Sequence, residues 1–164
     1  MKNEAVLHFF CGKAAAGKTT LSKQIACAQK AILISEDIWL SKLYPDEIES
    51  LSDYVNYSAR LKIAIFEHVT SLLRNGISVV LDFPGNTKDQ RYWFRTLYEN
   101  VGCSHVMHYI EASDALCKQQ LNKRNQELPD GSSHLSDEFF DLVTSYFQVP
   151  SSDEGFNIEK YAKN

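Results

Sequence analysis

Apolar residues along this chain alternate between short unbroken runs and longer, spaced series, a pattern that predicts strands interleaved with helices. Runs of strand length occupy 5–10, 31–35 and 77–81, with a fourth strand expected over 104–110. Helical spacing begins at 20–26, just after the first run. A brief helix is expected over 38–44, where Pro45 stops it. A long amphipathic helix follows over 53–74, capped by Ser52 and ended by Asn75-Gly76, with Val55, Ala59, Ile63, Phe66, Val69 and Leu73 on its inward face. The segment 87–100 reads as a helix ending near Gly102. Another helix is capped by Ser113, favoured by Asp114 and ends near Asn125, and the next starts at Ser136. Residues 127–133 are polar and turn-rich, and we expect a small lid over about 124–135. The tail from Pro150 to Ile158 could supply a last edge strand. The alternation implies right-handed βαβ units, a mostly parallel sheet with helices on both faces, and ligands at the carboxyl ends of the strands. No repeat, linker or low-complexity block breaks 1–164, which reads as a single domain.

One junction in this pattern names a ligand. Gly12-Lys13-Ala14-Ala15-Ala16-Gly17-Lys18-Thr19 fits G-x-x-x-x-G-K-[ST] at every fixed position, between the first strand and the first helix. The glycines permit close backbone approach, and the free amides of the helix start favour an anion. The expected nucleotide-binding set is Gly12, Lys13, Ala14, Ala15, Ala16, Gly17, Lys18, Thr19 and Thr20. Within it Lys18 would bridge the β- and γ-phosphates, and the Thr19 hydroxyl would ligate Mg²⁺.

Bulk composition narrows the partners. The 164 residues, 44% of them hydrophobic, suffice for one core. A net charge of -4 argues against a non-specific grip on nucleic acid or an anionic membrane, which leaves small anions. Cysteines 11, 27, 103 and 117 form no C-x-x-C pair and read as reduced thiols. No apolar run has the length of a signal sequence or a membrane span, so a cytoplasmic location is expected. Oligomeric state leaves no mark on the sequence.

A bound triphosphate reacts only when its charge is neutralised and a nucleophile is aligned with it. Asp82, closing the run 79–81, has the form of a Walker B acid that would hold a metal-bound water, although a strand-end carboxylate also serves as a cap. Asp37, after the second run, stands where an acceptor hydroxyl could be activated. On spacing alone it could equally cap the helix at Ile38. Glu36 would point away if that strand continued. Arg124, beside Lys123 at the lid, is the expected cation for the transferring group. Lys118 is a further candidate, and Arg91 and Arg95, one helical turn apart, could reach an acceptor's anionic group, although each could equally be a solvated surface charge. His105 and His108 fall on opposite strand faces and His134 stands alone, so none suggests a shared metal. Asn122-Lys123-Arg124-Asn125 lacks the Asp of a guanine-reading motif. Trp39 and Trp93 could line an acceptor pocket, but their first use is packing.

With the phosphate loop, Glu36-Asp37-Ile38-Trp39, Leu81-Asp82-Phe83, Asn86-Thr87 with Gln90-Arg91, the run 124–131 and Ser151-Ser152-Asp153-Glu154-Gly155-Phe156-Asn157, nearly the whole chain resembles the small P-loop kinases labelled "AAA-domain" ATPases. These are relatives of zeta toxin and chloramphenicol phosphotransferase. The resemblance implies a P-loop NTPase of kinase type, with a parallel five-stranded sheet in order 2-3-1-4-5, ATP with Mg²⁺, and phosphate transfer to a hydroxyl of a small-molecule acceptor. By the same likeness Asp37 matches the acid that activates the acceptor, and Arg124 matches a lid arginine. Such relatives often carry several lid arginines, where this chain offers one. The catalytic set is therefore Asp37, Lys18 and Arg124, and the metal set is Thr19 and Asp82. A nucleoside triphosphatase without acceptor and a non-enzymatic ATP-sensing module remain the alternatives.

Overall fold

The computed structural model describes residues 4–128 and 134–163. Five strands, β1 (Val6–Cys11), β2 (Ile32–Ser35), β3 (Val79–Asp82), β4 (Ser104–Ala112) and β5 (Ile158–Lys163), form one sheet in the order β2-β3-β1-β4-β5. Every neighbouring pair is parallel, with Leu7 beside Val79 and His105, and Ile34 beside Leu81. The parallel connections run through α1 (Lys18–Gln29), α2 (Glu36–Leu43), α3 (Leu51–Arg74), α4 (Lys88–Val101), α5 (Asp114–Glu127) and α6 (Asp137–Thr144). This is the P-loop kinase arrangement, with helices on both faces of the sheet.

Alternation along β1 divides the core. Leu7, Phe9 and Cys11 pack with Leu61, Val69, Phe94 and Met107 on one side, and Phe9 stacks on Phe94 at 4.5 Å. The other face carries Ile110, Cys117, Leu121 and Phe140 in a smaller cluster beside the phosphate loop. At the sheet centre all the C-terminal strand ends share one edge, so the loops after β1, β2 and β3 meet there.

Several local expectations shift. α3 is capped by Ser50, whose hydroxyl accepts the Asp53 amide at 3.1 Å, because the helix begins at Leu51 and the side chain must reach the third amide. Its inward face also differs: Val55 is 58% and Ile63 79% exposed, while Ser58, Leu61 and Ile65 are buried with Val69 and Leu73. Residues taken every fourth position precess about 40° per step around a helix, so the series 55, 59, 63 drifts off the core. α2 begins at Glu36 directly from β2, which puts Asp37 in a first helical turn rather than on a strand end. α5 runs on to Glu127. The centre of the expected lid, 129–133, lies outside the described residues. The tail does supply the edge strand, β5.

Candidate functional site

The loop between β1 and α1 has the backbone that its glycines suggest. Ala15 (φ 61°) and Gly17 (φ 108°) are left-handed, the Ala16 amide donates to the Lys13 carbonyl at 3.1 Å, and Gly17 accepts the Leu21 amide as α1 opens. The first glycine is held from outside the loop: the Gly12 amide donates to Asn86 Oδ1 at 2.9 Å. Asn86 is carried by the turn after β3, where any side chain at Gly85 would run into the Phe10 carbonyl oxygen. Thr87 and Gln90 then close a capping box that starts α4. Asn86 was not among the expected site residues, yet that capping pattern marks the turn it sits in.

Lys18 Nζ folds back onto the Gly12 carbonyl. Burial lowers its pKa, while the charges of Asp82, Cys11 and Asp37 oppose the shift and Arg124 adds to it. Thr19 Oγ1 donates to Asp82 Oδ2 at 2.9 Å, which joins the two expected metal ligands. Burial raises the Asp82 carboxyl against the pull of the Thr19 hydrogen bond, Lys18, Lys23 and Arg124. Among the described residues no three His, Cys, Asp or Glu side chains could hold a metal together. Thr19 and Asp82 thus make a two-ligand set that fits Mg²⁺, an ion that keeps water and phosphate oxygens in its remaining positions.

Asp37 lies near enough to Asp82, Arg124 and Lys18 for their charges to act on its carboxyl. It is solvent-accessible yet densely surrounded, and its pKa is raised to about 6 by burial and by the charges of Glu36 and Asp82, against Arg124 and Lys18. Ser35 occupies the N-cap position of α2, and among the described residues no group hydrogen-bonds the Asp37 carboxylate. Glu36, in contrast, is turned inward and 1% exposed. It accepts from Tyr54 Oη and, at 2.7 Å, from Ser58 Oγ on α3. Arg124 approaches from α5, close enough for its charge to act on Lys18, Asp37 and Asp82, and its Nε is buried with no hydrogen-bond partner among the described residues. A buried donor left unpaired costs on the order of 1–3 kcal/mol, so this one fits an anionic ligand.

Other candidates are engaged elsewhere. Lys13 leaves the loop to pair with Asp114 at 2.6 Å, and Lys118 pairs with Asp141 at 2.9 Å. Arg91 is not a ligand arm: it is wholly buried, with Nε and Nη2 on Glu154 and Nη1 on the Gly85 carbonyl. Arg95 lies over the Phe156 ring at 4.9 Å. Trp93 stacks on Phe83 and shares an open groove of about 490 Å³ with Ala59, Lys62, Ile63, Phe66 and Glu67, none of which belongs to the loop cluster. His108 pairs with His8 at 3.0 Å and with Tyr161 at 2.9 Å, whereas His105 stacks on Tyr98 across the sheet.

A family model described as AAA domain matches residues 7–150. The chain belongs to this family. Among solved structures, a candidate kinase from Chloroflexus aurantiacus is 17% identical with a TM-score of 0.75, covering 98% of this chain and 89% of that one. Chaetomium thermophilum Kti12, solved with ADP-AlF3, is 17% identical at TM-score 0.67, covering 95% and 88%. The APS kinase CysC of Mycobacterium tuberculosis, solved with AMPPNP and APS, is 16% identical at TM-score 0.62, covering 98% and 90%. At these identities the likeness establishes the fold that this AAA-domain chain shares with P-loop kinases. No protein of curated function matches significantly. Among the described residues no helix is long and apolar enough to cross a membrane.

Proposed function

We propose that this AAA-domain protein is an ATP-dependent kinase that transfers the γ-phosphate to a hydroxyl of a small molecule. The observation that carries the reading is the placement of Asp37: a carboxylate near Lys18, Asp82 and Arg124 that no cap or hydrogen bond claims among the described residues, its pKa raised to about 6. A base titrating near neutral pH can accept a proton and still be ionised when needed.

In this reading the amides of residues 14 to 19 bind the phosphates, and Lys18 leaves the Gly12 carbonyl to bridge β and γ. Thr19 and Asp82 would hold Mg²⁺, which when bound neutralises phosphate charge and orients the γ-phosphate. Asp37 orients the acceptor hydroxyl and takes its proton as the new O–P bond forms and the bond to the β-phosphate oxygen breaks. Arg124 supplies the cation that offsets charge on the transferring group, and its unpaired Nε supports that role.

Incubation of a metabolite pool with γ-phosphate-labelled ATP tests the proposal. Wild type should yield a labelled small molecule, and Lys18→Ala should yield none. Asp37→Asn should slow transfer by roughly 10²–10⁴ while keeping ATP affinity. Release of free phosphate alone, at an equal rate in Asp37→Asn, would replace the kinase reading with that of a triphosphatase. ATP binding with no turnover would leave a nucleotide sensor.

A further inference from the structure

Two ammonium groups rest on the phosphate loop, and only one belongs to its sequence motif. Lys18 lies on the Gly12 carbonyl at the loop's start. At the other end, Lys163 Nζ donates to the Ala16 carbonyl at 3.0 Å, reaching across from β5. The contact is close: a side chain at Gly17 would displace the flexible end of Lys163. Register explains the reach, since Lys163 pairs with Ala112, the last residue of β4, and so emerges at the ligand-bearing edge of the sheet.

Its charge is unspent. The ion pairs of the described residues are Lys13 with Asp114, Arg91 with Glu154, Lys118 with Asp141 and Lys160 with Glu111, and Lys163 is in none of them. Burial raises the Cys117 thiol pKa, and Lys13, Lys18 and Lys163 all pull against it, which places the three ammonium groups in one neighbourhood. A neutral carbonyl is a weak partner for a cation. An anionic oxygen beside it makes a charge-assisted bond roughly twice as strong.

We infer that Lys163 is a second lysine of the nucleotide site, supplied by β5, which exchanges the Ala16 carbonyl for the phosphate chain of a nucleoside triphosphate. The inference rests on the nucleotide-binding part of the proposed function and assigns to β5 a share in ligand recognition beyond its place as an edge strand.

Calorimetric titration with Mg·ATP and with inorganic tripolyphosphate tests it on wild type, Lys163→Gln and Lys163→Arg. Lys163→Gln, which keeps a donor and removes the charge, should weaken both ligands about tenfold, and Lys163→Arg should restore most of the loss. The wild-type advantage should also shrink as salt rises. Equal Mg·ATP affinity in wild type and Lys163→Gln overturns the inference, and a lowered melting temperature without ligand would then assign Lys163 to tethering β5. A loss confined to Mg·ATP, with tripolyphosphate unaffected, also overturns it. A wild type that binds neither ligand removes this inference and the proposed function together.

Discussion

Arg91 and Arg124 sit in two regions of the same sheet edge that treat charge in opposite ways. Around Arg91 every side-chain nitrogen is engaged: Glu154 accepts from Nε at 2.8 Å and from Nη2 at 3.2 Å, and the Gly85 carbonyl accepts from Nη1 at 3.0 Å. Burial alone would raise the Glu154 carboxyl, but the Arg91 hydrogen bond, the Ser151 amide and the Arg91 charge outweigh it, and its pKa lies below the ordinary value. Around Arg124 little is matched. Its Nε has no partner among the described residues, Lys18 rests on a carbonyl, and Asp37 and Asp82 are both raised. The first region is complete without a ligand and holds the scaffold. The second, in the proposed reading, is balanced by the phosphates of a nucleotide and by Mg²⁺.

The largest expected effect breaks the first region. Arg91→Met leaves Glu154 uncompensated and should cost about 3–5 kcal/mol of folding stability, read by urea denaturation. The double variant Arg91→Met with Glu154→Gln should recover part of that loss, because the introduced amide carries no charge to strand and its oxygen still accepts the Ser151 amide. A double variant as unstable as the single would mean that Arg91 acts through shape rather than charge.

These two arginines also show how far the sequence could be read. The phosphate loop and its flanking strand and helix were legible because their chemistry fixes residue types at fixed spacing, and Asp82 followed from its apolar run. The parallel sheet followed from the alternation of elements, while its strand order came from family resemblance. The burial of Arg91 was not legible, since its partner Glu154 lies 63 residues away and burial of a long cation leaves no local pattern. The inward face of α3 was misplaced for a related reason: Tyr54 and Ser58 face inward to hold Glu36, so polar residues occupy what an apolar count assigns to the surface.

A smaller effect is expected in the second region, on function more than on folding. Arg124→Met should not destabilise the fold and should raise its stability by up to about 1–3 kcal/mol, since it removes a buried donor that has no partner among the described residues. It should lower kcat for phosphate transfer by roughly 10²–10³. Arg124→Lys should restore only part of the rate, because a point charge replaces a planar fork. A destabilisation like that of Arg91→Met would erase the contrast between the two regions.

The smallest effect is the most direct measure of their difference, because the two carboxylates should give stability profiles of opposite sign. Asp37 has a pKa of about 6 in the ligand-free fold and about 3.9 when unfolded. Between those values the unfolded chain has released the proton that the folded chain still holds, so stability falls as pH rises from about 4 to 6 and stays lowered above that. Asp37→Asn removes this penalty. It should raise the melting temperature of the ligand-free protein at pH 7.5 by about 2 °C, a modest gain because the carboxylate is open to solvent, and change nothing below pH 4. Glu154, with its lowered pKa, contributes stability that is present above its unfolded pKa and lost as pH falls through its folded one. Glu154→Gln should therefore destabilise the fold at pH 7.5 and converge on wild type in acid. If Asp37→Asn also lowered the melting temperature at pH 7.5, Asp37 would be a satisfied structural acid, and the division between a completed scaffold and a site awaiting its ligand would not hold.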